Sequence, residues 1–292
     1  MSLPTRNEQF QRIGIIGYPV GHTLSPLMHN SAFQYLALPY QYEALETDPA
    51  RLQSSIQEYV AQGFVGFNVT IPFKEAILPF LHHLSDDAKT IGAVNTILVK
   101  ENKLYGYNTD AIGIKETLGT YREAISQSNV LILGAGGAAR SMVYVLANYF
   151  RPLSITVAAR NAQRALTLAS LIPDQSPIQF KHIFFTDEEI RIAVITSKII
   201  INTTPIGMHP NIDNSPLPND TLITSKHIVY DVIYRPLKTK LLKQAEQAGA
   251  ITLGGLPMLI YQGAAAFKIW TGKEMPIQYI SQILKHKLEA EA

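Results

Sequence analysis

The chain has 292 residues, and its 25 Lys and Arg nearly balance its 23 Asp and Glu, for a net charge of +2. This balance gives no sign of a surface for nucleic acid or for an anionic membrane. The chain has no cysteine, which excludes a disulfide framework, thiolate chemistry and Cys-based metal sites. The N-terminus is polar and no apolar run approaches the length of a membrane span, so we expect a cytoplasmic protein.

Short β-rich runs alternate with helical patterns in the first part of the chain. Strands are predicted at 12–17, 41–45, 64–70, 94–99 and 103–107, and helices at 48–62, 74–81 and 86–91. A further helix is predicted to begin at Ser25-Pro26, with Ser25 as its N-cap. Glu101 and Asn102 turn a hairpin between the last two strands. This alternation is typical of a mostly parallel α/β sheet covered by helices.

A second α/β series begins near residue 130. Strands are predicted at 130–133, 155–158, 179–184, 198–201, 228–232 and 250–252, and helices at 138–149, 162–171, 259–269 and 277–290. The length favours two domains. We expect the first domain to span 1–110, to be completed by the C-terminal helices, residues 256–292, and to bind the substrate. Residues 111–255 form the second domain.

A glycine-rich turn opens the second series. LILGAGGAAR, residues 131–140, places G-x-G-x-x-A between a strand and a helix. Gly134 permits the tight turn, Gly136 lets backbone amides approach a pyrophosphate, and Ala139 keeps the helix close to the strand. The pattern is weak alone, but in this context it predicts dinucleotide binding.

The end of the next strand indicates which dinucleotide is bound. A site for NAD carries Asp or Glu there, whereas ITVAAR ends in Arg160, with Arg164 following. Two guanidinium groups suit a ribose 2′-phosphate, so the sequence favours NADP over NAD. The alternative is that both arginines are solvent-exposed residues at the start of a helix.

The first domain places polar residues near the ends of its elements. GFNVTIPFK carries Thr70 and Lys74, GAVNT carries Asn95, and NTD carries Asp110. A lysine and a carboxylate can transfer a proton without a metal, and the histidines form no metal-binding spacing. Each residue also has a purely structural interpretation. Lys74 could be a solvated lysine, Asn95 a turn cap, Asp110 a helix N-cap and Thr70 an ordinary strand residue.

These motifs together resemble the shikimate dehydrogenase family, a group that also includes quinate/shikimate enzymes. The resemblance covers nearly the whole chain, in the order GYPVGHTLSP, NVTIPFK, GAVNT, YNTD, GAGGAAR, NTTPIGM, YDVIYRP and GGLPMLIYQ. It implies a Rossmann NADP-binding domain beside the substrate domain. It also implies the reversible reduction of 3-dehydroshikimate to shikimate by NADPH in aromatic amino-acid biosynthesis. We expect a monomer or homodimer that uses no metal.

The resemblance assigns roles to individual positions. Lys74 and Asp110 would form the catalytic pair, and which of them is the acid–base group stays open. The implied substrate-binding residues are Thr23, Ser25, Thr70, Lys74, Asn95, Asp110, Tyr234 and Gln262. The implied cofactor-binding residues are Gly134, Ala135, Gly136, Gly137, Ala138, Ala159, Arg160, Asn161, Arg164, Thr203, Val232, Gly255 and Met258.

Two motifs depart from the family pattern. The usual Ser-x-Ser-Pro has Thr23 in place of its first serine, and the usual Asn-Arg-Thr is replaced by Ala159-Arg160-Asn161. A quinate/shikimate dehydrogenase with relaxed substrate or NAD use is therefore the alternative. A catalytically inactive, metabolite-sensing relative would be expected to lack Lys74 or Asp110, and a methylene-tetrahydrofolate dehydrogenase does not fit NVTIPFK with GAVNT.

Overall fold

Strands and helices alternate through residues 10–218 and 222–291, which are the residues that the computed structural model describes. The strands are β1 (Gln11–Gly17), β2 (Tyr40–Glu46), β3 (Phe64–Val69), β4 (His83–Leu84), β5 (Thr96–Lys100), β6 (Lys103–Tyr107), β7 (Asn129–Leu133), β8 (Ser154–Ala158), β9 (Gln179–Ile183), β10 (Ile199–Asn202), β11 (Ile228–Asp231) and β12 (Ile251–Leu253). The helices are α1 (Ser25–Tyr35), α2 (Leu52–Ala61), α3 (Phe73–Ala76), α4 (Asp86–Ile91), α5 (Thr109–Leu118), α6 (Arg122–Ser126), α7 (Gly137–Val145), α8 (Ala162–Leu166), α9 (Asp187–Thr196), α10 (Lys240–Gln247), α11 (Leu256–Thr271) and α12 (Ile277–Glu289).

The contacts divide the chain into two compact units. Among the described residues, the first comprises those up to Thr109 together with Ile260–Leu284. The second comprises those within Asp110–Leu259 and those from Lys285 onward. The sequence assigned all of 256–292 to the first domain, whereas the contacts place the start of α11 and the end of α12 in the second unit.

The first unit contains a mixed sheet with the strand order β2-β1-β3-β5-β6-β4. β1 pairs parallel with β2 and β3, and β4 pairs parallel with β6. The hairpin β5–β6 is antiparallel, and β5 also runs antiparallel to β3. Glu101 and Asn102 turn this hairpin with φ of 52° and 56°, which confirms the predicted turn.

The second unit contains a parallel sheet with the order β12-β11-β10-β7-β8-β9. Numbered from β7, this is the 3-2-1-4-5-6 order of the doubly wound dinucleotide-binding fold. Because the strands are parallel, the segments that follow them meet at one edge. The predicted α/β class and the Rossmann-type unit are therefore confirmed.

Each unit has its own apolar core. In the first unit, Phe64 and Phe67 on β3 pack against Ile56 on α2. In the second unit, Leu131 and Val229 on the central strands pack against Val194 on α9. Burial of such side chains contributes roughly 1.5–3 kcal/mol each, so these faces hold the helices on the sheets.

Several helices differ from their predicted form. The predicted helix 74–81 is a single α-turn, α3, followed by a 3₁₀ turn at Leu78–Phe80, because Pro79 cannot continue an α-helix. The predicted helix 138–149 ends in a π-turn at Leu146–Phe150. The sequence also missed α9 and α10. Thr186 and Thr239 cap these two helices through their hydroxyl groups, a signal that the sequence contains.

Candidate active site

The segment after β3 carries Thr70 and Lys74. β3 ends at Val69, after which the Thr70 N–H donates to the Ile16 carbonyl and the Thr70 carbonyl accepts the Phe73 N–H at 2.8 Å. The chain therefore turns at Thr70 and enters α3. Lys74 lies in the single turn of this helix and is half-buried.

Backbone hydrogen bonds hold this segment against the GAVNT motif. The Val94 N–H donates to the Lys74 carbonyl at 2.8 Å, and the Val69 N–H donates to the Asn95 carbonyl at 2.9 Å. The amide of Asn68 donates to the same Asn95 carbonyl at 3.0 Å. Two motifs that are distant in sequence thus lie side by side in the first unit.

The Asn95 side chain is the centre of a buried network and is 3% exposed. Its Oδ1 accepts hydrogen bonds from the Thr109 N–H at 2.6 Å and from the Thr109 hydroxyl at 3.2 Å. Its Nδ2 lies 3.0 Å from Thr109 Oγ1 and donates to Gln262 Oε1 at 3.3 Å. Asn95 is therefore fixed in orientation and also holds the first residue of α5.

A second buried layer supports Asn95. Thr96 Oγ1 lies 3.0 Å from Thr109 Oγ1 and accepts a hydrogen bond from Asn68 Nδ2 at 3.1 Å. Asn68 Oδ1 in turn accepts the Tyr42 hydroxyl at 2.6 Å. A continuous chain of hydrogen bonds thus leads from β2 to the start of α5, and such networks rigidify a site when every member is satisfied.

Gln262 reaches Asn95 from α11, which is held on the sheet of the first unit. Trp270 Nε1 donates to the Ile97 carbonyl on β5 at 2.9 Å. Gly66 on β3 makes room for this indole, since a Cβ there would overlap the Trp270 ring. Gln262 is 9% exposed.

The loop before α1 carries Thr23 and Ser25. The predicted N-cap is wrong: α1 begins at Ser25, and Leu24 holds the N-cap position with helical dihedrals. Thr23 Oγ1 accepts the Ser25 N–H at 3.2 Å and lies 3.1 Å from Ser25 Oγ. The loop also meets the Thr70 segment, because the Tyr18 N–H donates to the Ile71 carbonyl at 3.0 Å. The segment that leads to Thr23 and Ser25 thus lies next to the segment that carries Thr70 and Lys74.

Asp110 and Tyr234 belong to the second unit. Asp110 lies in the first turn of α5 and is 5% exposed. Burial raises the pKa of Tyr230, and the charges of Asp231 and Asp110 raise it further. Tyr234 follows β11 and is half-buried.

The glycine-rich turn follows β7 at the carboxyl edge of the parallel sheet. Gly134 has φ of +106°, and a Cβ there would lie 2.9 Å from Thr203 Oγ1 and from Thr204 Cγ2. The turn therefore requires glycine for both its conformation and its space. A Cβ added at Gly136, by contrast, would meet no described atom within 4 Å. The turn that leads into α7 thus leaves open space beside Gly136.

The segment after β8 contains the two arginines expected to select the cofactor. Ala159 is buried, and Arg160, Asn161 and Arg164 are exposed. Asn161 caps α8, since its Oδ1 accepts the Arg164 N–H at 2.9 Å. The cap places Arg160 just before the helix and Arg164 in its first turn, at the same sheet edge as the glycine turn.

The remaining predicted cofactor residues follow β10, β11 and β12 at this edge. Thr203 donates its hydroxyl to the Leu133 carbonyl at 2.7 Å, next to the glycine turn. Gly255 packs against the strand-end segment containing Val232, whose carbonyl oxygen a Cβ at Gly255 would overlap. Met258 lies in the first turn of α11 and is buried. The parallel topology thus gathers segments distant in sequence.

A buried polar cluster at this edge was not predicted from the sequence. Asp231 and Asn202 end two neighbouring strands, and Thr239 precedes α10; all three are fully buried. Burial raises the pKa of Asp231 to about 6, and hydrogen bonds from Thr239, Ile233 and Asn202 act in the opposite direction. Polar residues at the last position of adjacent strands are the signal that could have revealed this cluster.

The described residues provide no group of three or more His, Cys, Asp or Glu side chains that could hold a metal ion. Within the same part of the chain, no helix combines the length and apolar character that crossing a membrane requires.

Comparison with known proteins gives the family. Residues 15–97 match the model of the shikimate dehydrogenase substrate binding domain, and residues 255–285 match the model of the shikimate 5'-dehydrogenase C-terminal domain. The shikimate dehydrogenase (NADP(+)) of Methanocaldococcus jannaschii is 42% identical over 283 residues, which cover 97% of this chain and 99% of that protein.

Solved structures agree with the sequence relationship. A crystal structure of a shikimate dehydrogenase in complex with NADP+ is 40% identical, with a TM-score of 0.85 and coverage of 96% of both chains. A shikimate 5-dehydrogenase of Thermus thermophilus in complex with NADP(H) and shikimate is 36% identical, with a TM-score of 0.81. The match covers 95% of this chain and 99% of the chain in that structure. The chain belongs to the shikimate dehydrogenase family.

Proposed function

We propose that this protein is an NADP-dependent shikimate dehydrogenase that reversibly reduces 3-dehydroshikimate to shikimate in aromatic amino-acid biosynthesis. The observation that carries the proposal is similarity over nearly the whole chain to an NADP(+) shikimate dehydrogenase. The related structure that holds both NADP(H) and shikimate supports the same pair of ligands.

The proposed substrate residues are polar groups suited to a hydroxylated acid. Asn95 and Gln262 share a hydrogen bond, and Thr70 lies in the segment packed against Asn95; these three would bind ring hydroxyls. Thr23, Ser25 and Tyr234 would bind the carboxylate. For Ser25, the start of an eleven-residue helix adds favourable electrostatics for an anion.

Lys74 and Asp110 are the proposed catalytic pair. Bound NADPH supplies the hydride that is added to C3 of the substrate. Lys74 transfers the proton at the C3 oxygen, and Asp110 orients the lysine and binds a ring hydroxyl. Proton transfer by a positioned side chain typically accelerates a reaction by about 10²- to 10⁴-fold.

The cofactor would bind at the carboxyl edge of the parallel sheet. Gly134, Ala135, Gly136, Gly137 and Ala138 would hold the pyrophosphate. Ala159, Arg160, Asn161 and Arg164 would surround the adenosine ribose, with the two guanidinium groups on its 2′-phosphate. Thr203, Val232, Gly255 and Met258 would line the nicotinamide side. The open surface at Gly136 and the exposed arginines fit this group.

A matrix of initial rates tests the proposal. Purified protein is assayed with shikimate and with quinate, each with NADP and with NAD, by the absorbance of the reduced cofactor. We expect the highest kcat/KM for shikimate with NADP. Comparable values for quinate or for NAD would instead support a relaxed quinate/shikimate dehydrogenase. Location in the cytoplasm and a monomeric or dimeric state are part of the same proposal.

A further inference from the structure

The carboxylate of Asp231 is a meeting point of three segments. Asp231 ends β11 and is 0% exposed. Its Oδ1 accepts Asn202 Nδ2 and the Ile233 N–H, both at 3.1 Å, and its Oδ2 accepts the Thr239 hydroxyl at 2.7 Å. Three donors thus converge on one buried side chain, which only a group with two acceptor oxygens can satisfy.

Asn202 extends this contact to the loop after β10. Its Oδ1 accepts the Thr204 N–H at 2.9 Å and the Thr204 hydroxyl at 2.7 Å, and its Nδ2 also donates to the Ile206 carbonyl at 3.3 Å. All four hydrogen-bonding positions of the Asn202 amide are therefore used. Since Thr204 Cγ2 lies beside Gly134, the shape of this loop is coupled to the glycine-rich turn.

Thr239 extends the contact with Asp231 to α10. Its hydroxyl caps this helix by accepting the Leu242 N–H at 3.3 Å while donating to Asp231. Gly207, with φ of +96°, packs beside Thr239, so the far end of the loop after β10 meets the same residue. The loop is held at both ends by partners of Asp231.

Asp231 holds the turn after β11 directly. The Ile233 N–H is bound to Asp231, and the Ile233 carbonyl accepts the Gly255 N–H at 3.1 Å. This turn carries Val232 and leads to Tyr234, while the loop after β10 begins with Thr203. Residues proposed to line the cofactor and to bind the substrate thus depend on one carboxylate for their position.

We propose that Asp231 is a positioning residue that holds two loops, 203–207 and 232–234, in the shape that takes up the nicotinamide half of the dinucleotide. The inference rests on the proposed function. Asp231 itself is fully buried behind these loops and acts through Asn202, Ile233 and Thr239. Partners that orient a binding group from behind commonly decide how well that group works.

A graded series of variants tests the proposal. Asp231→Asn keeps an oxygen for Asn202 and Ile233 but turns an NH2 group toward Thr239, whereas Asp231→Leu removes every acceptor at similar volume. Dissociation constants for NADPH and NADH are measured by fluorescence titration of the purified full chain. We expect Asp231→Leu to weaken the binding of NADPH and of NADH by about 10- to 100-fold each, and Asp231→Asn to weaken it less.

The equal loss for the two cofactors separates this role from that of Arg160, whose replacement by Ala is expected to weaken NADPH alone. Amide hydrogen exchange without cofactor gives a readout independent of binding and of activity. In Asp231→Leu, peptides covering 203–207 and 232–234 should exchange faster, while those covering 130–133 and 154–158 stay unchanged.

Unchanged NADPH affinity in a folded Asp231→Leu variant would overturn the proposal. So would unchanged exchange in both loops. If Asp231→Leu does not fold, Thr239→Val, which removes one of the three donors, decides by the same two measurements. If the wild-type chain binds neither NADPH nor NADH, the proposed function fails, and the role of Asp231 in positioning a cofactor site fails with it. If the wild-type chain binds cofactor and the two loops of Asp231→Leu exchange faster, the result supports both the proposed function and the positioning role.

Discussion

His29 stacks on Tyr42, with ring centroids 4.5 Å apart and an interplanar angle of 15°. The imidazole is fully buried, and neither of its ring nitrogens has a hydrogen-bond partner among the described residues. Burial lowers the pKa of His29 to about 3. The ring is therefore neutral in the folded protein, behind the network that leads from Tyr42 to Asn95.

His29 should make the first unit less stable in acid. Below pH 6.5 the unfolded chain binds a proton at His29, while the folded chain does not until about pH 3. Stability is therefore present above pH 6.5 and lost as the pH falls through this window, by about 1.4 kcal/mol per unit. Urea unfolding at pH 7.5 and pH 5, followed by fluorescence of Trp270, should show a smaller loss for His29→Phe than for the wild type.

The readout is specific because the chain has a single tryptophan, and its ring lies 5.3 Å from His29. Exposed His83 gives the matched control: His83→Phe should retain the wild-type pH dependence. Equal pH dependence of the wild type and His29→Phe would contradict the assignment.

Lys74→Ala should abolish most turnover. We expect kcat to fall by about 10²- to 10⁴-fold because the proton at the substrate oxygen loses its donor. Shikimate binding, measured by calorimetry, should change little, since other residues bind the hydroxyls and the carboxylate. Lys89→Ala, an exposed lysine on α4, is the control and should behave as the wild type. A Lys74→Ala enzyme with near-normal kcat would refute the role of Lys74.

Arg160→Ala should change the choice of cofactor. Loss of a guanidinium from the 2′-phosphate should raise the KM for NADP by about 10-fold or more while leaving the KM for NAD nearly unchanged. Arg151→Ala, just before the opposite end of β8, should affect neither value. The 2′-phosphate assignment is refuted if Arg160→Ala raises both KM values by the same factor.

Asn30 should protect an exposed sheet edge. Its Nδ2 donates to the Tyr42 carbonyl at 2.9 Å, and its Oδ1 accepts the Tyr42 N–H at 2.8 Å, so α1 occupies the outer side of edge strand β2. Asn30→Leu leaves two backbone groups unpaired and should cost about 1–3 kcal/mol for each that stays unsatisfied. The open edge should also promote self-association, visible by size-exclusion chromatography.

Gln34→Leu, an exposed substitution one turn further along α1, adds the same apolar side chain without touching β2. It should leave both stability and elution volume unchanged. If Asn30→Leu matches this control, the side chain does not protect the edge.

The sequence predicts the local elements because their signals lie within a few residues. Apolar runs identify β1, β3 and β7, and Gly134 identifies the turn that follows β7. Ser25 was misassigned because Leu24 adopts helical dihedrals, which no local pattern reveals. Asn95 could be suspected from its motif, but its partner Gln262 lies 167 positions away. The role of Asp231 can be recognised only when the order of the strands in the sheet is known.

The first unit is discontinuous along the chain, and Trp270 completes it by its bond to Ile97, 173 positions earlier. During translation the ribosome therefore releases Asp110–Leu259, the larger part of the second unit, before Trp270 exists. We therefore expect the second unit to fold before the first, in contrast to the usual order, in which the N-terminal part folds first. Until Trp270 has been synthesised, its indole cannot cover the apolar face of β3 around Gly66. A nascent chain arrested before Ile260 should resist protease in the second unit and be cut in the first.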